Sequence, residues 1–188
     1  LGTQKNIVCS DSNKKDLEIK YKIIHKNLSR YSYDFLKKIN LKYIVMCENL
    51  SISELYTAGI PDNVMKTLIL DIKFNENYFE RVIHHEVFHV MHLQHKEVFN
   101  EKEWMDFNKK GFQYADCSTC TDKIDLDTYI DTDGFLTEYS KTTPSEDMAE
   151  VFSHIMFGIN IPNNDSILQR KKEFIIKNIL KVDKTFKF

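Results

Sequence analysis

The sequence lacks any apolar stretch of the roughly 18 to 20 residues that a membrane-spanning helix needs. It also lacks a long run of charge of one sign, because its 26 basic and 28 acidic side chains are mixed along the chain and leave a formal net charge of -2. Internal repeats and low-complexity segments are absent as well. Nothing in this pattern points to nucleic acid or to an anionic membrane. We therefore expect no membrane span and no nucleic-acid partner.

The length and composition fit one compact protein. With 188 residues, of which 42% are hydrophobic, the chain can bury a sizeable core. We expect a single monomeric domain over residues 1–188, with an upper part of about 1–95 and a lower part of about 96–188. The first ten residues lack the apolar stretch of a signal peptide, and the chain begins with Leu1, so we interpret it as a mature or shortened form. We expect a secreted or cell-surface protein, although no export signal is visible.

The four cysteines are too few and too scattered for a four-cysteine zinc module. Cys117 and Cys120 form a lone CxxC pair, whereas Cys9 and Cys47 lie far away in the sequence. A thioredoxin-like redox site would need a strand before the pair and a helix after it, but the polar surroundings predict a loop. The interpretations left open for this pair are a local disulfide and two unpaired thiols.

Hydrophobic periodicity predicts a mixture of helices and strands. Apolar residues recur at helical spacing from Lys15 to Ile39, which indicates one long helix or two helices joined near Ser29 to Ser32. The runs Lys42 to Cys47 and Thr67 to Ile72 predict strands of one sheet, with a turn candidate at Gly59 to Asn63 between them. A loop-rich stretch is expected at Asn100 to Gly134. Further helices are expected at Asn77 to about Gln94, from Pro144 to Gly158, and around Phe174 to Leu180.

The central predicted helix carries the strongest chemical signal, since residues 85–89 read HEVFH. Two histidines four residues apart on a helix project from the same face, so His85 and His89 can reach one metal ion. Glu86 cannot join them as a ligand, but it can act as general base on a water that zinc activates. The apolar residues around the pair are typical of a helix in a domain interior. The alternative is a core helix with two ordinary buried histidines.

Three further histidines surround this pair. His92 would lie about 10 Å along the helix from His85, and His84 points to another face, so both are interpreted as packing or surface residues. His95 has the spacing of the third ligand in the metzincin pattern HExxHxxGxxH, but that pattern needs a glycine where this chain has His92. His95 could bind only if the helix broke at His92, and it stays open as an alternative third ligand.

A second pair of candidate residues lies in the helix predicted from Pro144. Glu146 and Glu150 are four residues apart, so both carboxylates lie on one face. A metal site explains two such carboxylates if one coordinates the ion and the other accepts the N–H of a ligand histidine. The alternative is an exposed acidic first turn that stabilises the helix dipole.

With Tyr139 seven residues before Glu146, the arrangement resembles the gluzincin-type metallopeptidases, in particular the family of the anthrax lethal factor catalytic domain and the Pro-Pro endopeptidases. The segments around Tyr139 and Glu150 also look like a group of bacterial proteins labelled as putative zinc-binding metallopeptidases. Members of that group often carry a tryptophan, an asparagine and a Gly-Phe-x-Tyr stretch after HExxH. Trp104, Asn108 and the segment Gly111 to Tyr114 are similar.

The resemblance implies an α+β zincin-like fold, in which a small twisted sheet lies above the HExxH helix and a helical lower part follows. It implies that Glu146 is the third zinc ligand, that Glu150 supports a ligand histidine, and that Tyr139 donates a hydrogen bond to the developing oxyanion. The alternative for Tyr139 is a half-buried loop aromatic. An edge strand, either Thr67 to Ile72 or the segment near Tyr56 to Ile60, is expected to bind substrate by strand addition.

These observations together predict a zinc-dependent endopeptidase with one catalytic zinc ion and a peptide or protein substrate. Two alternatives stay open. One is a zincin-like domain that binds metal or a partner without cutting, and the other is a metzincin-like site that uses His95. The presence of Glu86 favours the enzyme, because this residue is needed for the water chemistry and not for holding the metal.

Overall fold

A computed structural model of the chain describes residues 6–122 and 125–188. These residues form an α+β protein with a small mixed sheet and six α-helices, which confirms the predicted class. None of the described helices is long and apolar enough to cross a membrane. Residues 1–5, which belong to the stretch without a signal-peptide pattern, and residues 123–124 of the predicted loop-rich stretch lie outside the described residues.

The chain divides into two compact units. Apart from the last two residues, the first unit ends at Gln94 and the second begins at His95. The first unit holds the sheet and three helices, and the second holds the other three helices. The expectation of a single domain over the whole chain stays a prediction.

The first unit contains a five-stranded sheet in the order β1-β2-β5-β4, with β3 paired to β2. Its strands are β1 (Ile7–Ser10), β2 (Tyr43–Ile52), β3 (Leu55–Tyr56), β4 (Gly59–Asp62) and β5 (Thr67–Asp71). The two strands predicted from the sequence, β2 and β5, are parallel neighbours, with Val45 opposite Ile69. β5 lies between β2 and β4, so it is not an edge strand, and the expectation that it could bind substrate as an edge was wrong. Among the described residues, β4 is the edge on that side.

The turn predicted at Gly59 to Asn63 was also wrong, because most of this segment is strand β4. β4 pairs with β5 in antiparallel register, from Gly59 opposite Leu70 to Asp62 opposite Thr67. Pro61 suggested a turn because it has no backbone N–H, but an edge strand tolerates that loss where its N–H would face away from the sheet. The chain reverses over the following four residues instead.

The helices of the first unit follow the sequence pattern closely. They are α1 (Lys14–Leu28), α2 (Tyr33–Lys38) and α3 (Glu76–Gln94). Of the two arrangements predicted for Lys15 to Ile39, the structure has two helices. Ser32 caps the second one, since its side chain accepts a hydrogen bond of 3.1 Å from the Phe35 N–H. Ser32 itself has an extended backbone, which a continuous helix does not allow.

A disulfide between Cys9 and Cys47 joins β1 to β2 and closes a sequence separation of 38 residues. Cys47 is buried in a cluster with Ile7, Leu50, Ile60 and Ile69. A second disulfide joins Cys117 to Cys120, so this pair is not two unpaired thiols. The first disulfide was not predicted from the sequence, because no local pattern relates two cysteines so far apart.

Replacing both Cys9 and Cys47 by alanine is expected to lower the free energy of unfolding by about 2 to 4 kcal/mol. The physical reason is that a cross-link over a loop of this length removes many conformations from the unfolded chain. Urea unfolding of the variant and the unaltered protein measures the difference. The matched control replaces Cys117 and Cys120, whose short loop predicts a smaller loss. An equal loss in the two variants would contradict the loop-length argument.

The second unit contains α4 (Glu101–Met105), α5 (Pro144–Phe157), α6 (Ser166–Val182) and a short 3₁₀ helix at Tyr139–Lys141. α5 begins and ends where the sequence predicts. The Thr143 side chain accepts a hydrogen bond from the Glu146 N–H at the start, and Gly158 has a left-handed backbone with φ of 82° at the end. α4 was not predicted, because a five-residue helix shows too little periodicity.

Candidate metal centre

The two histidines of the HExxH motif face one another on α3. The Nε2 atoms of His85 and His89 are 3.0 Å apart, and the ring planes meet at 71°. Two nitrogens that each lie about 2.0 to 2.1 Å from one tetrahedral zinc ion are separated by about 3.3 Å. The observed separation is close to that value, so the pair fits a shared ion.

A group of three side chains could hold a metal ion. His85, His89 and Glu146 each offer one ligand atom, and these atoms lie within 4.8 Å of one another. Two imidazole nitrogens and one carboxylate oxygen form a donor set that suits catalytic zinc and leaves a coordination position open. Among the described residues this is the one group of that kind, and neither His92 nor His95 belongs to it. The assignment of Glu146 as the third ligand stays a prediction.

The carboxylate of Glu86 is buried against the backbone of the edge strand β4. A Cβ atom added to Gly59 would lie 2.5 Å from Cγ and 2.7 Å from Cδ of Glu86, which is closer than side-chain atoms tolerate. Glu86 is only 7% exposed. Gly59 therefore leaves the space that the Glu86 side chain occupies. The sequence predicts a turn at Gly59, and no local signal in it indicates this contact.

His84 is a fully buried packing residue, as predicted. Its Nδ1 lies 2.6 Å from the Tyr31 hydroxyl, and its Nε2 lies 3.0 Å from the Asn27 Oδ1. An amide oxygen only accepts, so Nε2 donates to Asn27 and Nδ1 accepts from Tyr31. Burial lowers the pKa of His84 to about 4. A neutral His84 thus ties α1 and the segment after it to the helix that carries the HExxH motif.

The other two histidines differ in their surroundings. His92 is buried on α3, and its ring centroid lies 5.7 Å from that of Phe88, so it is a packing residue. α3 continues through His92 to Gln94, so the helix break that a His95 ligand would require at His92 does not occur. The Nδ1 of His95 lies 3.7 Å from a carboxylate oxygen of Glu97. This geometry argues against the metzincin-like alternative.

The second unit holds the remaining predicted site residues. Glu146 is half-buried in the first turn of α5, and Glu150, one turn later, is only 2% exposed. Glu150 accepts a hydrogen bond of 3.1 Å from the Thr137 hydroxyl, so it is not part of an exposed acidic turn. Tyr139 is half-buried at the start of the 3₁₀ helix, and its N–H donates to the Asp125 carbonyl at 3.0 Å. The role of its phenol stays a prediction.

Comparison with known proteins gives a family match over most of the chain. The profile of a family described as "Putative zinc-binding metallo-peptidase" matches residues 17–181. No curated protein and no solved structure matches the chain. The matched range includes every residue of the candidate metal centre.

Proposed function

We propose that this chain, which belongs to the family of putative zinc-binding metallo-peptidases, is a zinc-dependent endopeptidase with a zincin-like fold. The observation that carries the proposal is the convergence of the His85 and His89 Nε2 atoms, with a buried glutamate between the two residues in sequence. A core helix with two ordinary histidines does not require either feature.

One zinc ion would be held by His85, His89 and Glu146. Two observations support this assignment. The ligand atoms of the three residues all lie within 4.8 Å of one another, and two imidazoles with one carboxylate form a donor set that suits zinc. When bound, zinc lowers the pKa of a water molecule and polarises the scissile carbonyl. Glu150 would accept the N–H of one ligand imidazole, and its burial and its hydrogen bond from Thr137 support a fixed carboxylate there.

Glu86 would move the proton in the reaction. Its carboxylate takes a proton from the attacking water and passes it to the leaving amine. The contact with Gly59 restricts where that carboxylate can lie, which supports a base with a defined position. Tyr139 would donate a hydrogen bond from its phenol to the developing oxyanion, where it stabilises charge that exists only in the transition state.

The substrate would be a peptide or protein segment bound in extended form along β4. The edge of β4 that faces away from β5 has no paired strand among the described residues, so it can accept another strand. Gly59 belongs to this strand and contacts Glu86, so a peptide added there would run beside the base. We propose that the protein acts as a monomer.

We also propose that the protein works outside the cell or at the cell surface. Two disulfides, Cys9–Cys47 and Cys117–Cys120, support this location, because disulfides persist in oxidising compartments and are rare in the cytosol.

The zinc site is tested by measuring bound zinc and peptide cleavage together. The purified protein is expected to carry one zinc ion per chain and to cleave members of a mixed peptide library. Removing the metal with a chelator should stop cleavage, and adding zinc should restore it. A protein that holds zinc but cleaves no peptide would instead be a binding domain.

The ligand assignment predicts different results for two single substitutions. Glu146→Ala is expected to lose the bound zinc, because it removes a ligand atom from the group. His95→Ala, the matched control, should keep zinc at the level of the unaltered protein. The measurement is the zinc content of each variant after dialysis. Loss of zinc in His95→Ala and retention in Glu146→Ala would contradict the assignment of Glu146.

A further inference from the structure

A buried polar cluster lies at the start of α5, with the Asp147 carboxylate at its centre. Its Oδ2 atom accepts hydrogen bonds from Trp104 Nε1 at 2.9 Å, from the Tyr114 hydroxyl at 2.6 Å and from Lys171 Nζ at 2.6 Å. Asn108 in turn donates to the Tyr114 hydroxyl at 2.9 Å. Trp104, Asn108 and Tyr114 belong to the segments that resemble the family, and the sequence alone indicates no role for them. The structure connects all three to one carboxylate, Trp104 and Tyr114 directly and Asn108 through the Tyr114 hydroxyl.

Stability alone is a weak explanation for this cluster. The side chains of Asp147 and Lys171 are both fully buried. The free energy needed to take two charges out of water is larger than the stabilisation that a typical hydrogen bond provides. Burial raises the pKa of Asp147 and lowers that of Lys171, while the attraction between the two charges opposes both changes. Apolar side chains of similar size often stabilise a core at least as well as such a pair.

Asp147 follows Glu146 directly, which relates the cluster to the proposed metal ligand. Consecutive helical residues are about 100° apart around the axis, so holding the Asp147 side chain also sets the rotation of the first turn of α5. The Thr143 side chain restrains the same turn by accepting from the Glu146 N–H. Lys171 also donates to the Gly134 carbonyl at 2.7 Å. The backbone that carries Glu146 is therefore restrained by the Thr143 cap and by the hydrogen bonds to Asp147.

We propose that Trp104, Tyr114 and Asp147 are positioning residues that hold Glu146 in the orientation required of a metal ligand before any metal binds. The inference rests on the proposed function, because it needs Glu146 to be a ligand. A carboxylate that is already oriented loses less freedom when it binds an ion, so the metal is held more tightly. Loss of a hydrogen bond made directly to a ligand typically weakens metal binding by about 10- to 100-fold. The bonds here act through the neighbouring residue Asp147, so we expect an effect at the lower end of that range.

The test uses two variants that each remove one hydrogen bond to Asp147. Tyr114→Phe keeps the ring and removes only the hydroxyl, whereas Trp104→Phe replaces the buried indole by a smaller phenyl ring. Zinc affinity is measured by competition with a chelator, and the ligand field is measured from the absorption bands of the Co²⁺-substituted protein. We expect each variant to bind zinc about 10-fold more weakly and to show shifted Co²⁺ bands. Asn108→Ala, which removes a hydrogen bond to Tyr114 and not one to Asp147, should show a smaller change in the same direction.

The control separates positioning from a general loss of stability. Ile179→Val removes a methylene-sized volume from a buried position on α6 that takes no part in the cluster's hydrogen bonds. It should lower the melting temperature and leave zinc affinity and the Co²⁺ bands unchanged. Circular dichroism of each metal-free variant establishes that it is folded before the metal is added.

The outcomes distinguish this inference from the proposed function. If Glu146→Ala abolishes tight zinc binding while Tyr114→Phe and Trp104→Phe keep full affinity and unshifted Co²⁺ bands, the cluster is only part of the core and the positioning role is overturned. If Glu146→Ala itself keeps full affinity, the ligand assignment fails instead. A folded Tyr114→Phe variant with weak zinc binding supports both the positioning role and the assignment of Glu146 as a ligand.

Discussion

Replacing Glu86 by glutamine is expected to lower kcat/KM for peptide cleavage by about 10²- to 10⁴-fold and to leave zinc content unchanged. The amide has the size of the carboxylate but cannot accept a proton from water. The measurements are the cleavage rate of the best peptide from the library and the zinc content of the same sample. If Glu86→Gln cleaves at the original rate, Glu86 is not the general base.

The position of the carboxylate can be tested without changing its chemistry. Gly59→Ala places a methyl group 2.5 Å from Cγ of Glu86, so the Glu86 side chain must move, while the proposed ligands His85 and His89 stay unaltered. The backbone of Gly59 is not in the left-handed region, so an alanine there meets only this contact. We expect kcat to fall and zinc content to stay. Ile60→Val on the same strand is the control, and full activity of Gly59→Ala would show that Glu86 works from another position.

The second large effect concerns the stability of the second unit. Replacing Lys171 by methionine is expected to lower the free energy of unfolding by about 3 to 5 kcal/mol at neutral pH, because it leaves the Asp147 charge buried without its cation. Lys177→Met on the exposed side of the same helix is the matched control and should change stability little. Urea unfolding of the metal-free proteins gives both values, and similar losses for the two variants would contradict the prediction.

The loss in Lys171→Met should also depend on pH. Burial already raises the pKa of Asp147, and removing the cation raises it further. A carboxyl whose pKa is higher in the folded than in the unfolded state favours folding once it is protonated, and that contribution disappears as the pH rises through the folded-state pKa. The variant should therefore lose less stability at pH 5 than at pH 8. A larger loss at pH 5 would show that another group is responsible.

The helices that carry the candidate site were predictable because their signals are local. The apolar periodicity around His85 and His89 predicts α3, and Pro144 and Gly158 mark the first turn and the end of α5. Helical spacing alone places two residues four apart on one face, so the facing imidazoles and the shared face of Glu146 and Glu150 follow from the sequence. Each of these features depends on residues within about one turn of each other.

The sequence by itself thus determined the HExxH motif, the helices that carry the candidate metal centre and the class of the fold. Only the tertiary structure decided that Gly59 belongs to an edge strand against Glu86, that Cys9 pairs with Cys47, and that Trp104 reaches Asp147 across 43 residues of sequence. The physical reason is that strand order, disulfide pairing and buried hydrogen bonds join residues far apart in the chain. Local propensity does not encode such contacts, which arise when distant segments bury their apolar surfaces together and the polar groups among them find partners.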